Sequence, residues 1–217
     1  MLPLPFNRRT DVRLRDQKAR AYFARVAKSL RAGDVLGFSA CDCLGVGINL
    51  ATWGLPGVGL SHVAICADHP DTGDLVLFES TSLYPVPCAI RGVVVSGLQC
   101  HAIRPRVATY RGKVWAYQLR KPLDVRQSNR LTAYCLRHLG TAYDAIGAFR
   151  SRQAGFGWLE RRLRPEDLTS IFCSEFVAAA HRHVDVFQTA NASAWNPNRY
   201  CRELQARGLV HEPERLH

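Results

Sequence analysis

The sequence SHVAICADHPDTGDLVLFES, residues 61–80, decides the fold, because it holds two apolar runs separated by turn-forming residues. Val, Ile, Leu and Phe are enriched in both runs and favour β-strands. The intervening Pro, Asp, Thr and Gly residues are typical of a tight connection. If the two runs pair as an antiparallel hairpin, Glu79 at the end of the second strand lies near His62 at the start of the first.

The rest of the chain extends this hairpin into a mixed fold. Three further apolar runs predict strands. With the hairpin they give about five strands, at 34–40, 61–67, 74–80, 92–98 and 113–119. After Pro122 apolar residues recur at three-to-four-residue spacing, which indicates helices. The predicted helices are 127–139, 173–184 and 197–207. Strands followed by helices favour an α+β fold with a central antiparallel sheet packed by helices.

We expect residues 1–217 to form a single domain, because no linker or shift of composition divides the chain. Apolar residues at helical spacing, with Arg and Lys between them, predict a basic helix within the N-terminal segment 1–32. The segment 150–170 is basic and interrupted by glycines. It is therefore predicted to be an inserted basic loop.

The net charge points to a class of partner rather than to a fold. The 29 basic and 18 acidic residues give a formal charge of +11. Such an excess favours anionic partners, such as an acidic polymer or a membrane surface bound through the basic helix, although it also fits a solvated basic surface. Nucleic acid is the anionic partner that we do not expect.

The cysteines and the N-terminus bear on the compartment. The eight cysteines are irregularly spaced, and several, such as Cys66 and Cys135, lie inside apolar runs. This usage is typical of buried free thiols in a reducing compartment. We find neither a signal-peptide pattern nor about 18 consecutive apolar residues. The sequence thus predicts a cytoplasmic or virion-associated protein.

Cys173 is the candidate nucleophile. It lies in SIFCSEFVAAAHRHV, where an apolar approach leads into the start of a predicted helix. Unpaired N–H groups and the positive end of the helix dipole stabilise a thiolate at such a position, and they can also hold an oxyanion. A cysteine before a helix is nevertheless often a buried core residue.

His62 and Glu79 are the candidate base and its partner. His62 opens an apolar strand, where an imidazole can take a thiol proton and later protonate a leaving group. A carboxylate at Glu79 could accept a hydrogen bond from that imidazole and fix its tautomer. Each residue also has an ordinary structural interpretation: a strand histidine and a solvated strand-end carboxylate.

The order of these pieces resembles the circularly permuted NlpC-type peptidases, the YiiX-like branch of the papain-like cysteine peptidases. The resemblance covers residues from about 31 to 209. The matching pieces are Gly33-Asp34-Val35-Leu36, Ser61-His62-Val63-Ala64-Ile65, Phe78-Glu79-Ser80, Gly140-Thr141-Ala142-Tyr143-Asp144, Phe172-Cys173-Ser174-Glu175-Phe176-Val177 and Asn196-Pro197-Asn198. It implies a papain-like fold whose permutation places the histidine before the cysteine.

The resemblance implies a thiol hydrolase that cleaves an amide bond in cell-wall peptides, such as links next to D-Glu or diaminopimelate, without a cofactor. Cys173 is then the nucleophile, His62 the base and Glu79 the residue that orients His62. The resemblance also puts the Tyr143 hydroxyl near the oxyanion, although Tyr143 could instead be a core aromatic residue.

Two other functions stay open. A related permuted branch uses a cysteine and a histidine on lipid acyl groups, as a thiol acyltransferase or lipase-like hydrolase. That branch usually has a second histidine where this chain has Glu79. The third hypothesis is a non-catalytic module that binds an anionic cell-wall polymer.

Other cysteines and histidines are given no catalytic role. Cys41 and Cys43 form only one close-spaced pair, so we expect no metal site although His69 and His101 lie in the same part of the sequence. His181 and His183 are more than two helical turns from Cys173 and are predicted to be surface histidines.

Overall fold

A six-stranded antiparallel sheet organises the protein. The structure is a computed structural model that describes residues 26–39, 59–81, 86–142 and 173–216. The strands are β1 (Val35–Ser39), β2 (His62–Asp68), β3 (Leu75–Thr81), β4 (Gly97–Ala102), β5 (Lys113–Tyr117) and β6 (Glu214–Arg215). Their order is β4-β3-β2-β1-β5-β6, and every neighbouring pair is antiparallel. The α+β class and the antiparallel sheet are thus confirmed, and the papain-like and permuted character stays a prediction.

The hairpin that the sequence predicts is present. Ile65 pairs with Phe78, and Asp68 pairs with Leu75 next to the connection. This register puts Glu79 opposite Ala64, so that Glu79 and His62 are diagonal neighbours on one face of the sheet.

The predicted strand at 92–98 is wrong in its position. Strand β4 begins at Gly97, and Val93 and Val94 are each 57% exposed. The Gly92 N–H donates to the Cys88 carbonyl, so the backbone turns in this region instead of joining the sheet. Gly97 has φ of +116°, and a Cβ there would lie 2.0 Å from the Thr141 carbonyl oxygen. Only glycine fits this junction, although the valines before it favour a strand.

Besides the helical residues 26–29, four α-helices pack around the sheet in the described part of the chain. They are α1 (Ile103–Ala108), α2 (Val125–His138), α3 (Cys173–His183) and α4 (Pro197–Ala206), and a 3-10 helix spans Ala192–Ala194. Helices α2, α3 and α4 confirm the three helices predicted after Pro122. Asp124 and Gln127 form a capping box at the start of α2. Asn196 caps α4 and Pro197 occupies its first turn, as the sequence indicates.

Two apolar clusters form on the sheet. Val63 and Ile65 of β2 belong to a cluster with Phe176 of α3. Ala64 and Cys66, whose side chains alternate with these, belong to a second cluster with α1. The sheet is thus buried on both faces, and residues of the second face surround His62 and Glu79.

The predicted N-terminal helix lies mostly outside the described residues, although residues 26–29 are helical and Val26 and Leu30 are buried. The basic segment 150–170 lies entirely outside them. Among the residues that the structure describes, no helix combines the length and the apolar character needed to cross a membrane.

Candidate active site

His62 and Glu79 are bonded to each other across strands β2 and β3. The distance from His62 Nε2 to Glu79 Oε2 is 2.7 Å. Glu79 is fully buried, whereas 16% of the His62 side chain is exposed. The alternative of a solvated strand-end carboxylate is therefore wrong, and the pair opens to solvent only at the imidazole.

Cys173 completes this group from the first residue of α3. The helix starts at the cysteine, so the first-turn N–H groups have no partner within the helix. Burial lowers the pKa of His62, but the charge and hydrogen bond of Cys173, together with the hydrogen bond and charge of Glu79, raise it to about 9. The imidazole therefore favours its protonated form between the sulfur of Cys173 and the Glu79 carboxylate.

Glu79 also accepts hydrogen bonds from two residues that have no predicted role at the site, His101 and Arg106. Arg106 Nε lies 2.6 Å from Oε1, and Arg106 Nη2 lies 2.9 Å from Oε2. His101 Nδ1 lies 3.0 Å from Oε1. Burial raises the pKa of Glu79, but the hydrogen bonds from His101, His62 and Arg106 outweigh burial and hold it well below its ordinary value.

Aromatic rings enclose the polar group. Phe38 of β1 is the register partner of His62, and the two ring centroids are 5.4 Å apart. The Arg106 guanidinium lies 4.7 Å from the centre of the Phe38 ring and 5.4 Å from that of Tyr110. These contacts are in the range of cation–π interactions, so they hold the buried arginine from its faces while its edge binds Glu79.

One C-terminal segment contacts both halves of the site. Asn198 accepts from the Leu60 N–H at 2.7 Å and donates to the Leu60 carbonyl at 2.9 Å, two residues before His62. Ser174, next to Cys173, donates to the Trp195 carbonyl at 2.7 Å. Residues 195–198 therefore tie the start of α3 to the start of β2.

The other candidates have different outcomes. Tyr143, Cys41 and Cys43 lie outside the described residues, so their predictions stay untested.

His181 is fully buried, and its prediction as a surface residue is wrong. Its Nε2 lies 2.7 Å from the Gly33 carbonyl oxygen, and its Nδ1 lies 2.6 Å from the Tyr200 hydroxyl. These two bonds satisfy a polar ring inside the core and explain its burial.

No cluster of His, Cys, Asp or Glu within the described ranges is arranged to hold a metal ion. The six described cysteines, including Cys173, are free thiols.

Comparisons with known proteins give a distant structural likeness. No family model and no curated protein matches the chain. A crystal structure that it resembles is that of the metalloprotein YiiX from Escherichia coli O157:H7, with a TM-score of 0.47 and 20% sequence identity. The alignment covers 71% of this chain and 66% of YiiX, slightly less than two thirds of that protein.

Proposed function

We propose that the protein is a thiol hydrolase in which Cys173 is the nucleophile, His62 the acid and base, and Glu79 the residue that orients His62. The single observation that carries the proposal is the contact of His62 with both a helix-start cysteine and a buried carboxylate. Because Glu79 occupies Nε2, the ring leaves Nδ1 for the thiol. This division of the two ring nitrogens is what a cysteine–histidine pair requires.

The chemistry follows from these positions. The Cys173 proton passes to His62, and the sulfur forms a bond to the substrate carbonyl carbon. First-turn N–H groups of α3 stabilise the resulting oxyanion. The C–N bond then breaks as the amine takes the proton from His62. Water, deprotonated by His62, next attacks the thioester, and the thiolate departs.

The proposed substrate class is an amide bond in a cell-wall peptide, as the sequence resemblance implies. The charge of +11 supports an anionic polymer as the substrate's carrier. The position in which lipid-acting enzymes of the related branch usually carry a second histidine holds Glu79 here, which favours amide cleavage. An acyl-enzyme formed from phospholipid but not from muropeptides would reverse this preference.

The test is digestion of soluble muropeptides by purified protein, followed by mass spectrometry of the products. We expect Cys173→Ala and His62→Ala to abolish cleavage. Cys135→Ala is the matched control, because Cys135 is a buried thiol inside α2 and has no role in the proposed site. Full activity of Cys173→Ala would refute the proposal. Polymer binding without any cleavage by the wild type would favour the non-catalytic module instead.

A further inference from the structure

Arg106 binds Glu79 through two hydrogen bonds, so it does more than neutralise the charge of the carboxylate. Its Nε and Nη2 atoms contact different carboxylate oxygens, Oε1 and Oε2, at 2.6 and 2.9 Å. Such a two-point contact fixes the plane of a carboxylate as well as its charge. The same Oε2 atom is the one that His62 contacts at 2.7 Å.

The arginine is itself held in place. Arg106 belongs to the short helix α1 and is buried. The rings of Phe38 and Tyr110 lie within 5.4 Å of its guanidinium carbon. Phe38 also contacts the His62 ring, so one side chain supports both the arginine and the imidazole. The orientation of Glu79 is therefore determined by side chains on four neighbouring elements, namely α1, β1, β2 and β4.

We propose that Arg106 is a positioning residue of the thiol hydrolase: it keeps Glu79 ionised and aligned so that the proton taken from Cys173 stays on His62. This inference rests on the proposed function. A carboxylate that became protonated, or rotated away, would no longer stabilise the imidazolium, and His62 would lose its proton more readily.

The sign of the pH effect follows from the groups around Glu79. Among the described residues, those with titratable or charged side chains that bond to Glu79 are His62 from β2, His101 from β4 and Arg106 from α1. Burial opposes ionisation of Glu79, and these three residues favour it. Removing the arginine charge therefore lets Glu79 take up a proton at a higher pH than in the wild type.

Two substitutions of Arg106 distinguish its effect on the alignment of Glu79 from the effect of its charge. Arg106→Lys keeps the charge but loses the planar two-point contact. We expect its rate of Cys173 alkylation by iodoacetamide to fall by about 10- to 100-fold, with the acidic limb of the pH profile unchanged. Arg106→Gln also loses the charge, and we expect its acidic limb to move to higher pH. Arg104→Gln, an exposed position on the same helix, is the matched control and should match the wild type.

A second measurement does not depend on the reactivity of the thiol. In Cys173→Ala protein, the carboxyl ¹³C resonance of Glu79, assigned with Glu79→Gln, should titrate at higher pH when Arg106→Gln is added. This result is expected even if Cys173 is not the nucleophile, so it distinguishes a failure of this inference from a failure of the proposed function.

Three results would overturn the inference. The first is a wild-type rate of Cys173 alkylation in Arg106→Lys, and the second is an alkylation rate in Arg106→Gln that is reduced by the same factor at every pH. The third is a Glu79 titration whose midpoint is the same with and without Arg106→Gln. If Arg106→Gln does not fold, Arg106→Lys decides alone, because it retains the buried positive charge.

Discussion

His62 Nε2 and Glu79 Oε2 are 2.7 Å apart, on two antiparallel strands whose connecting turn lies at the opposite end of the hairpin. Their contact therefore depends on the register of the whole hairpin. Because a slip by one residue would turn Glu79 to the other face of the sheet, the apolar alternation of β2 and β3 also maintains the polar pair.

The His62–Glu79 contact predicts a basic limb in the pH profile. Because the pKa of His62 is raised to about 9, the imidazolium persists through neutral pH and is lost as the pH rises through that value. Hydrolysis that needs a protonated His62 should decline there. Glu79→Gln removes a hydrogen bond and a charge that favour the imidazolium, so the limb should move to lower pH.

The matched control for this experiment is Glu203→Gln, which removes a carboxylate on α4 that pairs with Arg207, the residue after the helix. It should leave the pH profile of muropeptide cleavage unchanged. A basic limb at the same pH in Glu79→Gln and the wild type would show that Glu79 does not act on His62.

His181 predicts a loss of stability in acid. Burial lowers its pKa to about 4, although the hydrogen bond to the Gly33 carbonyl opposes this shift. Between the ordinary value of 6.5 and about 4, the unfolded chain binds the proton more strongly. The contribution of His181 to the free energy of unfolding should therefore fall by about 3 kcal/mol as the pH drops across this range.

Urea unfolding of the wild type and His181→Gln at several pH values checks this prediction. The two unfolding free energies should differ by an amount that shrinks as the pH falls. A difference that is constant between pH 7 and pH 4 would be inconsistent with a neutral, buried His181.

The contribution of Asp34 to the free energy of unfolding should change with pH in the opposite direction to that of His181. Burial raises the pKa of Asp34 to about 6, against the hydrogen bonds from the Leu119 and Arg31 N–H groups and the charge of Arg31. Its contribution to stability is fully present below the ordinary value of 3.8 and is lost as the pH rises through about 6. The contribution changes by about 3 kcal/mol, which nearly offsets that of His181.

Asp34→Asn should therefore expose the acid loss due to His181, and its unfolding free energy should fall more steeply than that of the wild type from pH 6 to pH 4. Parallel pH curves for the variant and the wild type would contradict the assignment of Asp34.

Asn198 predicts a link between the C-terminal helix and the reactivity of the thiol. Its amide bonds both backbone groups of the buried Leu60, so Asn198→Ala should cost about 1–3 kcal/mol of unfolding free energy. Because Leu60 leads into β2, the variant should also slow alkylation of Cys173.

Asn196→Ala is the matched control for Asn198→Ala. It removes the cap of the same helix and should cost about 1 kcal/mol, with no change in the alkylation rate. Equal alkylation rates in the two variants would show that the Leu60 contact does not position His62.

Part of the fold could be predicted because its local signals agree. The alternation and turn residues of 61–80 give the hairpin, and Asn196 and Pro197 give the start of α4. The predicted strand at 92–98 is misplaced because valines favour a strand in any context. The position of Gly97, in contrast, depends on a contact with Thr141, which is distant in sequence. Strand β6 has only two residues and carries no periodic pattern.

The site was predictable to a similar extent. The hairpin register brings Glu79 to His62, and this could be read from the sequence once the turn was recognised. His101 would have followed from the register Leu77↔His101 if β4 had been placed correctly.

Arg106 has no local signal, because a basic residue on a short helix normally faces solvent and its burial depends on Glu79, Phe38 and Tyr110. The surface prediction for His181 is wrong for the same reason, since Gly33 and Tyr200 form its hydrogen bonds from distant parts of the chain.

Site-resolved alkylation tests the central claim, the pairing of Cys173 with His62, most directly. Wild-type protein and His62→Ala would be treated with limiting iodoacetamide at neutral pH, and each modified cysteine located by mass spectrometry. Burial raises the pKa of the Cys66, Cys135 and Cys201 thiols, which keeps them protonated. We predict that Cys173 reacts faster than these three thiols in the wild type and loses this advantage in His62→Ala. A Cys173 that reacts no faster than Cys201, or at the same rate without His62, would contradict the account.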